Sequence, residues 1–368
     1  IYVDYKFVHD SLNSRFYWDA NENVLLYTTA SDIISAAADS NSYSVTKQTN
    51  DFGYPIVKAT SDSALIALDY VKQYSNITFK SYDDPARIVI TSKWDEIDSA
   101  TVSKSTQVRV KGGIKSPILK EVKKDDKITI LDSGDKWDKV ATEDGVIGYI
   151  KRKALSESKK TKLTNPDYEE ETFTHIKKDK DICLAWNQVT SQSANSKVPQ
   201  VISSTKGINV MSPTWFYLND NNGNLADIAS KDYVSYCHSQ GIEVWGLFSN
   251  FENTDVDAAY VLTHTSTRTT LINQIMSAAF NYELDGVNID FENITEAAYG
   301  DSYIEFIREL AIKCHNNGIS LSVDVTVPAS FNKFFNRSDM ANFADYIVIM
   351  GYDEHYKGSD AGSVSSIP

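Results

Sequence analysis

From about His175 onward, near-continuous apolar runs alternate with amphipathic stretches. Six runs predict strands: Ile182–Val189, Gly207–Leu218, Glu243–Ser249, Leu284–Glu292, Ser320–Pro328 and Tyr346–Asp353. Three stretches of helical spacing lie between them, Leu225–Gln240, Thr267–Tyr282 and Asp301–Asn317. Gln240-Gly241 and Asn317-Gly318 offer the left-handed stop that ends a helix. Strands apolar on both faces and separated by helices predict a parallel sheet covered on both sides. Repeated β-α units of this number point to a TIM-type β/α barrel, whose complete form has about eight strands and about 250 residues. The six strands found in 174–368 predict a barrel that is incomplete at its C-terminal side.

The first half is patterned differently. Phe16-Tyr17-Trp18-Asp19 leads into Val24–Thr28, and sixty-four positions later Ser81-Tyr82-Asp83 leads into Ile88–Thr91. Each pair reads as a hairpin, with helix-like stretches at Asp32–Ala38 and Ser63–Tyr74. Region 1–98 is therefore expected to be an α+β repeat. It resembles the copper-amine-oxidase N-terminal-like stalk of bacterial surface proteins, without implying copper. Region 99–155 carries five short strands, Gln107–Val110, Ile118–Glu121, Lys127–Asp132, Trp137–Thr142 and Val146–Ile150. Turn signals at 111–113, 132–134 and 143–145 separate them and predict a small all-β barrel. The run Trp137-Asp138-Lys139-Val140, Asp144-Gly145, Gly148-Tyr149-Ile150-Lys151 resembles the bacterial SH3-like (SH3b) domain, modules of which often bind cell-wall material. The polar stretch 156–173 reads as a linker.

The net charge is -14, from 36 basic and 50 acidic residues. That balance argues against nucleic acid as a partner. It hides a local reversal: 101–163 holds sixteen Lys and Arg against nine Asp and Glu, a net +7, which leaves -21 on the rest. A basic middle with acidic flanks predicts modules with different partners. Cys183, Cys237 and Cys314 are far apart and read as buried free thiols. The six His form no zinc-binding spacing, so neither a metal nor another cofactor is implied. No apolar run is long enough to span a membrane, and the chain starts at Ile1, so any signal peptide or anchor is expected to have been removed.

The string that carries chemistry is Leu284-Asp285-Gly286-Val287-Asn288-Ile289-Asp290-Phe291-Glu292. On a strand, Asn288, Asp290 and Glu292 share one face and Val287, Ile289 and Phe291 the other. In a barrel the polar set lines the interior, with Glu292 at the C-terminal end where barrel active sites lie. Carboxylates so close cannot all ionise freely, so at least one is expected to hold its proton near neutrality, as a general acid must. A buried polar network that merely holds the barrel together is the structural alternative. Trp186, Trp215 and Trp245, on the first three strands, are candidate sugar platforms or plain core. By alternation Asp324 and Thr326 extend the polar interior.

The string resembles the D-x-x-D-x-D-x-E signature of family 18 glycoside hydrolases, the chitinases and their relatives. The form D-G-V-N-I-D-F-E is most similar to the branch with spore-cortex N-acetylglucosaminidases. The resemblance implies that Glu292 is the general acid and that Asp290 orients the 2-acetamido group of the substrate, which itself attacks the anomeric carbon. It gives Asp285 a supporting or strand-start role. Asn288 stands where the family has its middle Asp; it cannot take up a proton, but can hold Asp290 by a hydrogen bond. Met350-Gly351-Tyr352-Asp353 resembles the family's M-x-Y-D motif, which implies that Tyr352 hydrogen-bonds the acetamido group, Met350 packs beside it and Asp353 contacts sugar hydroxyls. His355, just beyond, is a further candidate for the cleft. The family's last strand brings a Trp under the sugar, and this sequence has no candidate for it.

The expected function is a secreted or wall-associated bacterial glycosidase acting on a β-linked N-acetylglucosamine polymer, peptidoglycan before chitin. The alternative is a carbohydrate-binding protein on the same scaffold without turnover. An added role for the basic 101–163 module is to grip anionic wall polymer.

Overall fold

The computed structural model describes residues 1–292, 294 and 297–366. The chain divides into two compact units, one of residues 1 and 68–170, the other of 2–67 and 171–368.

In the first unit the helix Leu68–Tyr74 is followed by the hairpin Thr78–Asp83/Ala86–Thr91, with Ile88 opposite Ser81. Next comes a seven-stranded antiparallel sheet. All five strands expected from 107 to 150 are present, as Thr106–Arg109, Ile118–Val122, Lys127–Asp132, Trp137–Thr142 and Ile147–Lys151. They enclose Val108, Val122, Ile128, Val140 and Ile150. Two strands escape the apolar pattern. Glu96–Thr101 and Lys159–Lys162 pair with each other, so part of the stretch expected as linker is an edge strand. Its Lys-rich sequence suits an edge, where charge discourages further pairing, and carries no alternation to read.

In the second unit, residues 2–67 form a three-stranded and a five-stranded antiparallel sheet. The hairpin Phe16–Asp19/Val24–Thr28 forms as expected, with Phe16 opposite Tyr27. The helix expected over Asp32–Ala38 is instead the strand Ile33–Ala37, paired with Val24–Thr28. Ile34 and Ala36 are buried and Ile33 and Ser35 only partly so, a period of two rather than 3.6. The stretch Ser63–Tyr74 divides into the strand Ala64–Ala67 and the helix already described.

The remainder is a parallel sheet of six strands: β1 (Leu184–Asn187), β2 (Val210–Leu218), β3 (Glu243–Ser249), β4 (Gly286–Asp290), β5 (Ser320–Thr326) and β6 (Tyr346–Met350). Each pairs in parallel with the next along the chain. Sequential order without reversal is the winding of a β/α barrel rather than of a doubly wound sheet. The crossovers include α1 (Lys231–Ser239), α2 (Thr265–Tyr282), α3 (Ala297–His315) and α4 (Arg337–Phe343). The start of the helix expected at Leu225 is instead the short strand Leu225–Asp227, and Ser230 caps α1 through the backbone N–H of Tyr233. Gly241 and Gly318 take φ of +71° and +70°, the left-handed stops expected after α1 and α3. Val287, Ile289 and Phe291 pack into the core with α2 and α3, as alternation predicts. All three cysteines are free, but Cys183 is exposed just before β1, correcting the expectation that all are buried.

Side chains of 2–67 lock onto these helices. Tyr17 bonds Ser302 at 2.9 Å, Thr28 donates to Glu305 at 2.8 Å, and Asp19 accepts from the backbone and hydroxyl of Thr265 at 2.6 Å. Fully buried Arg268 lies over the Tyr17 ring and pairs with Glu309 at 2.9 Å. Arg308 bridges Glu305 and Asp339.

Candidate active site

The interior of the sheet converges on Asn288. Its Oδ1 accepts the indole N–H of Trp186 from β1 and the hydroxyl of Ser212 from β2, each at 3.0 Å. Its Nδ2 donates to Oδ1 of Asp324 on β5 at 2.9 Å. In a flat sheet β1 and β4 would stand about 14 Å apart, so these contacts require the sheet to curl into a barrel. Asn288, Ser212 and Asp324 are all buried. The Asn288 side chain thus engages Asp324 rather than holding Asp290, as the sequence had suggested.

Gly286 explains the Asp-Gly that opens the string. A Cβ there would fall 2.6 Å from the Trp245 indole, which lies against the bare backbone. Asp285, just before β4, accepts from His238 Nε2 and from the backbone N–H of Val244, both at 2.8 Å.

Two residues beyond Asn288 along the same face is Asp290. Burial, then the charges of Glu292 and Glu252, push its carboxyl up to about 7. Its Oδ1 is buried without a hydrogen-bond partner. Burial pushes Asp324 up to about 8 against the hydrogen-bonding influence of Asn288 and, more weakly, of the Trp186 indole, with Asp290 and Glu292 adding to the rise. The Asp324 Oδ2 is likewise buried and unpartnered. Glu292 follows the C-terminal end of β4. The Asn250 side chain clamps its backbone from both sides, accepting from the N–H and donating to the carbonyl at 2.8 Å. Beside Glu292 lies a cavity of about 270 Å³, lined also by Asp324, Phe291, Phe334, Phe335 and Met350.

Tyr352 follows β6, and its ring meets Trp186 edge-on with centroids 6.4 Å apart. These rings are 43% and 40% exposed, enough to leave aromatic surface for a ligand. Burial and the charges of Asp290, Glu292, Asp324 and Asp353 raise the Tyr352 phenol above its ordinary value. The structure therefore gathers Glu292, Asp290, Asn288, Tyr352, Trp186 and Met350 at one end of the sheet.

Trp215 and Trp245 are corrections. Both are fully buried and offer no face to a sugar. A register irregularity between Thr214 and Phe216 turns Trp215 into the helix layer, where it packs on Tyr233 and donates to Asn195 at 2.8 Å. Trp245 does point inward, but four residues before Ser249, the partner of Asp290; it packs against Tyr346. Asp353 is exposed at φ +61°, and His355 bonds the carbonyl of Asp360 at 2.8 Å within its own loop. Asp324 is buried in the interior, while Thr326 is exposed, accepts from Asn332 at 2.9 Å and lines the cavity beside Glu292.

Sequence reasoning missed Asn250, Ser212 and Glu252, whose carboxylate accepts the Ser249 hydroxyl. The available signal was position alone: Asn250 and Glu252 directly follow β3 at its C-terminal end. Among the described residues no cluster of three His, Cys, Asp or Glu could hold a metal ion.

Residues 246–367 match the sequence profile of glycosyl hydrolases family 18. The family 18 stretch holds Asn250, Asp290, Glu292, Asp324 and Tyr352, and leaves Trp186 and Ser212 outside it. An uncharacterized glycosylase of Bacillus subtilis strain 168, YvbX, is 25% identical over 161 residues, 40% of this chain and 46% of that protein. The chain thus spans less than half the length of this relative. Among solved structures, a chitinase from Chromobacterium violaceum is similar at 20% identity and a TM-score of 0.43, over 50% of this chain and 60% of that one. The spore cortex-lytic enzyme SleL of Bacillus megaterium is similar at 18% identity and a TM-score of 0.42, over 50% and 43%.

Proposed function

We propose that the β/α unit is the catalytic part of a glycoside hydrolase that cleaves β-linked N-acetylglucosamine polymers. The observation that carries the reading is the placement of Asp290 and Glu292 on one face at the C-terminal end of β4, inside a family 18 match, with an open cavity beside Glu292. The glycosylase name of YvbX supports it.

In this reading Glu292 gives its proton to the glycosidic oxygen as the bond to the anomeric carbon breaks. The carbonyl oxygen of the substrate's own 2-acetamido group attacks that carbon, giving an oxazolinium ion and no bond to the protein. Asp290 accepts the acetamido N–H, and the Tyr352 hydroxyl donates to the acetamido oxygen. Glu292 then takes a proton from the water that opens the ring, so the anomeric configuration is retained. Trp186 supplies an aromatic face for a sugar ring.

Peptidoglycan is the favoured polymer and chitin the second. A basic 101–163 segment beside an acidic remainder suits placement on an anionic wall, and the SH3-like pattern of that segment supports a wall-binding role in an extracytoplasmic bacterial setting. Reducing-end release from purified peptidoglycan and from chitin tests the reading. Release from peptidoglycan in excess over chitin is expected; release from neither by the folded chain would overturn it.

A further inference from the structure

Asp290 and Asp324 stand side by side on adjacent strands. The register of β4 and β5 pairs Asn288 with Ser322 and Ile289 with Val323, so the next residues along are Asp290 and Asp324. Both point into the interior, since their odd-numbered neighbours Ile289, Phe291, Val323 and Val325 lie in the helix-covered core. Each keeps one carboxylate oxygen buried and without a hydrogen-bond partner, Oδ1 of Asp290 and Oδ2 of Asp324. Two ionised carboxylates in that position would repel across a poorly solvated gap, and two unpartnered oxygens there would each go unsatisfied. A single proton held between them removes both penalties.

We propose that Asp324 is the proton-holding partner of Asp290: the two carboxyls share one proton, which resides on Asp324 whenever Asp290 must carry charge. The role rests on the glycosidase reading of the site. As the oxazolinium ion forms, Asp324 keeps the proton on Oδ2 and donates it as a hydrogen bond to Asp290, whose carboxylate faces the cation. Asp324 is thus a positioning residue that acts through Asp290. Asn288 fixes it by donating to Oδ1, which leaves Oδ2 free for the proton.

The groups facing the pair are consistent with one shared proton. Glu292 and Glu252 bear on Asp290, and Glu292 on Asp324. The phenols of Tyr303 on α3 and of Tyr352 after β6 feel both carboxyls. Among the described residues, the side chains that bear most on the two carboxyls are acidic groups and neutral hydrogen-bond donors. Proton affinity is raised at both carboxyls, to about 7 at Asp290 and about 8 at Asp324, so the last proton to leave the pair is held by Asp324.

Carbon-13 NMR of aspartate carboxyls in the full chain tests the proposal without needing turnover. The two resonances are expected to move together through one shared step around pH 7 to 8. Asp324→Asn, which keeps an N–H donor toward Asp290, should abolish that step and let Asp290 ionise at lower pH; Asp290→Asn should do the reciprocal to Asp324. Two resonances that titrate independently, each indifferent to the other substitution, would overturn the shared proton. In kinetics, Asp324→Asn should keep kcat within about threefold and Asp324→Ala should lose about tenfold or more, because only the second leaves Asp290 without a partner. Equal kcat values for the two variants would overturn the positioning role. Shared titration without turnover on any glycan would leave the proton pair standing and remove the glycosidase reading.

Discussion

Trp186 reaches from the first parallel strand to Asn288 on the fourth, placing its indole nitrogen 3.0 Å from the amide oxygen. One ring thereby does two things. Its N–H helps to hold the sheet curled, and its exposed face lies beside Tyr352 at the mouth. Asn288 is the knot of that arrangement, joining β1, β2 and β5 through one amide.

Replacing Asn288 with Leu should therefore destabilise the unit strongly. The indole N–H, the Ser212 hydroxyl and the Asp324 carboxyl would each lose a buried partner, for a total of about 3–5 kcal/mol. Trp186→Phe removes one bond and should cost about 1–2 kcal/mol. Urea unfolding would measure both, and equal losses for the two variants would deny Asn288 its central place.

Arg268 predicts a second effect, far from the site. Its guanidinium is fully buried, pairs with Glu309, and also donates to the Leu262 carbonyl at 2.6 Å. Arg268→Leu strands the Glu309 carboxylate and should cost about 3–5 kcal/mol. Arg268→Met combined with Glu309→Leu should recover much of that loss, because removing both charges also removes the burden of burying them. A double variant as unstable as the single one would mean that packing, not charge, holds Arg268 in place.

Folding should also respond to pH through Asp290 and Asp324. Both are raised above the ordinary 3.8, so the folded chain binds protons that the unfolded chain has released. Their contribution to stability is full below about pH 4 and is lost as pH rises through about 7 to 8. Chemical unfolding of the parent and of Asp324→Asn across this range isolates the effect: the parent should lose stability more steeply than the variant. Parallel curves would show that the Asp324 proton does not contribute.

Much of the β/α unit was legible because strand alternation and burial agree. Val287, Ile289 and Phe291 are apolar and face the helices, while Asn288 and Asp290 are polar and face inward. The five strands within 106–151 were legible for the same reason, with turn glycines between them. What stayed hidden depended on partners distant in sequence. Ile33–Ala37 reads as a helix until Val24–Thr28 lies beside it. Lys159–Lys162 has no apolar period and becomes a strand through backbone pairing with Glu96–Thr101. Trp215 leaves the interior through a local slip of register that no alternation rule anticipates. The bonds from Tyr17, Asp19 and Thr28 to α2 and α3 join residues more than 240 positions apart, and no local pattern marks them.

The account rests on Glu292 as the acid, and the most direct measurement is turnover of a chromogenic N-acetylglucosaminide and of peptidoglycan by the parent and by Glu292→Gln, with folding of both verified by circular dichroism. The substitution keeps size and hydrogen-bonding capacity while removing the transferable proton, so kcat should fall by about 100-fold to 10,000-fold with the fold intact. Undiminished turnover in Glu292→Gln would contradict the assignment of the acid.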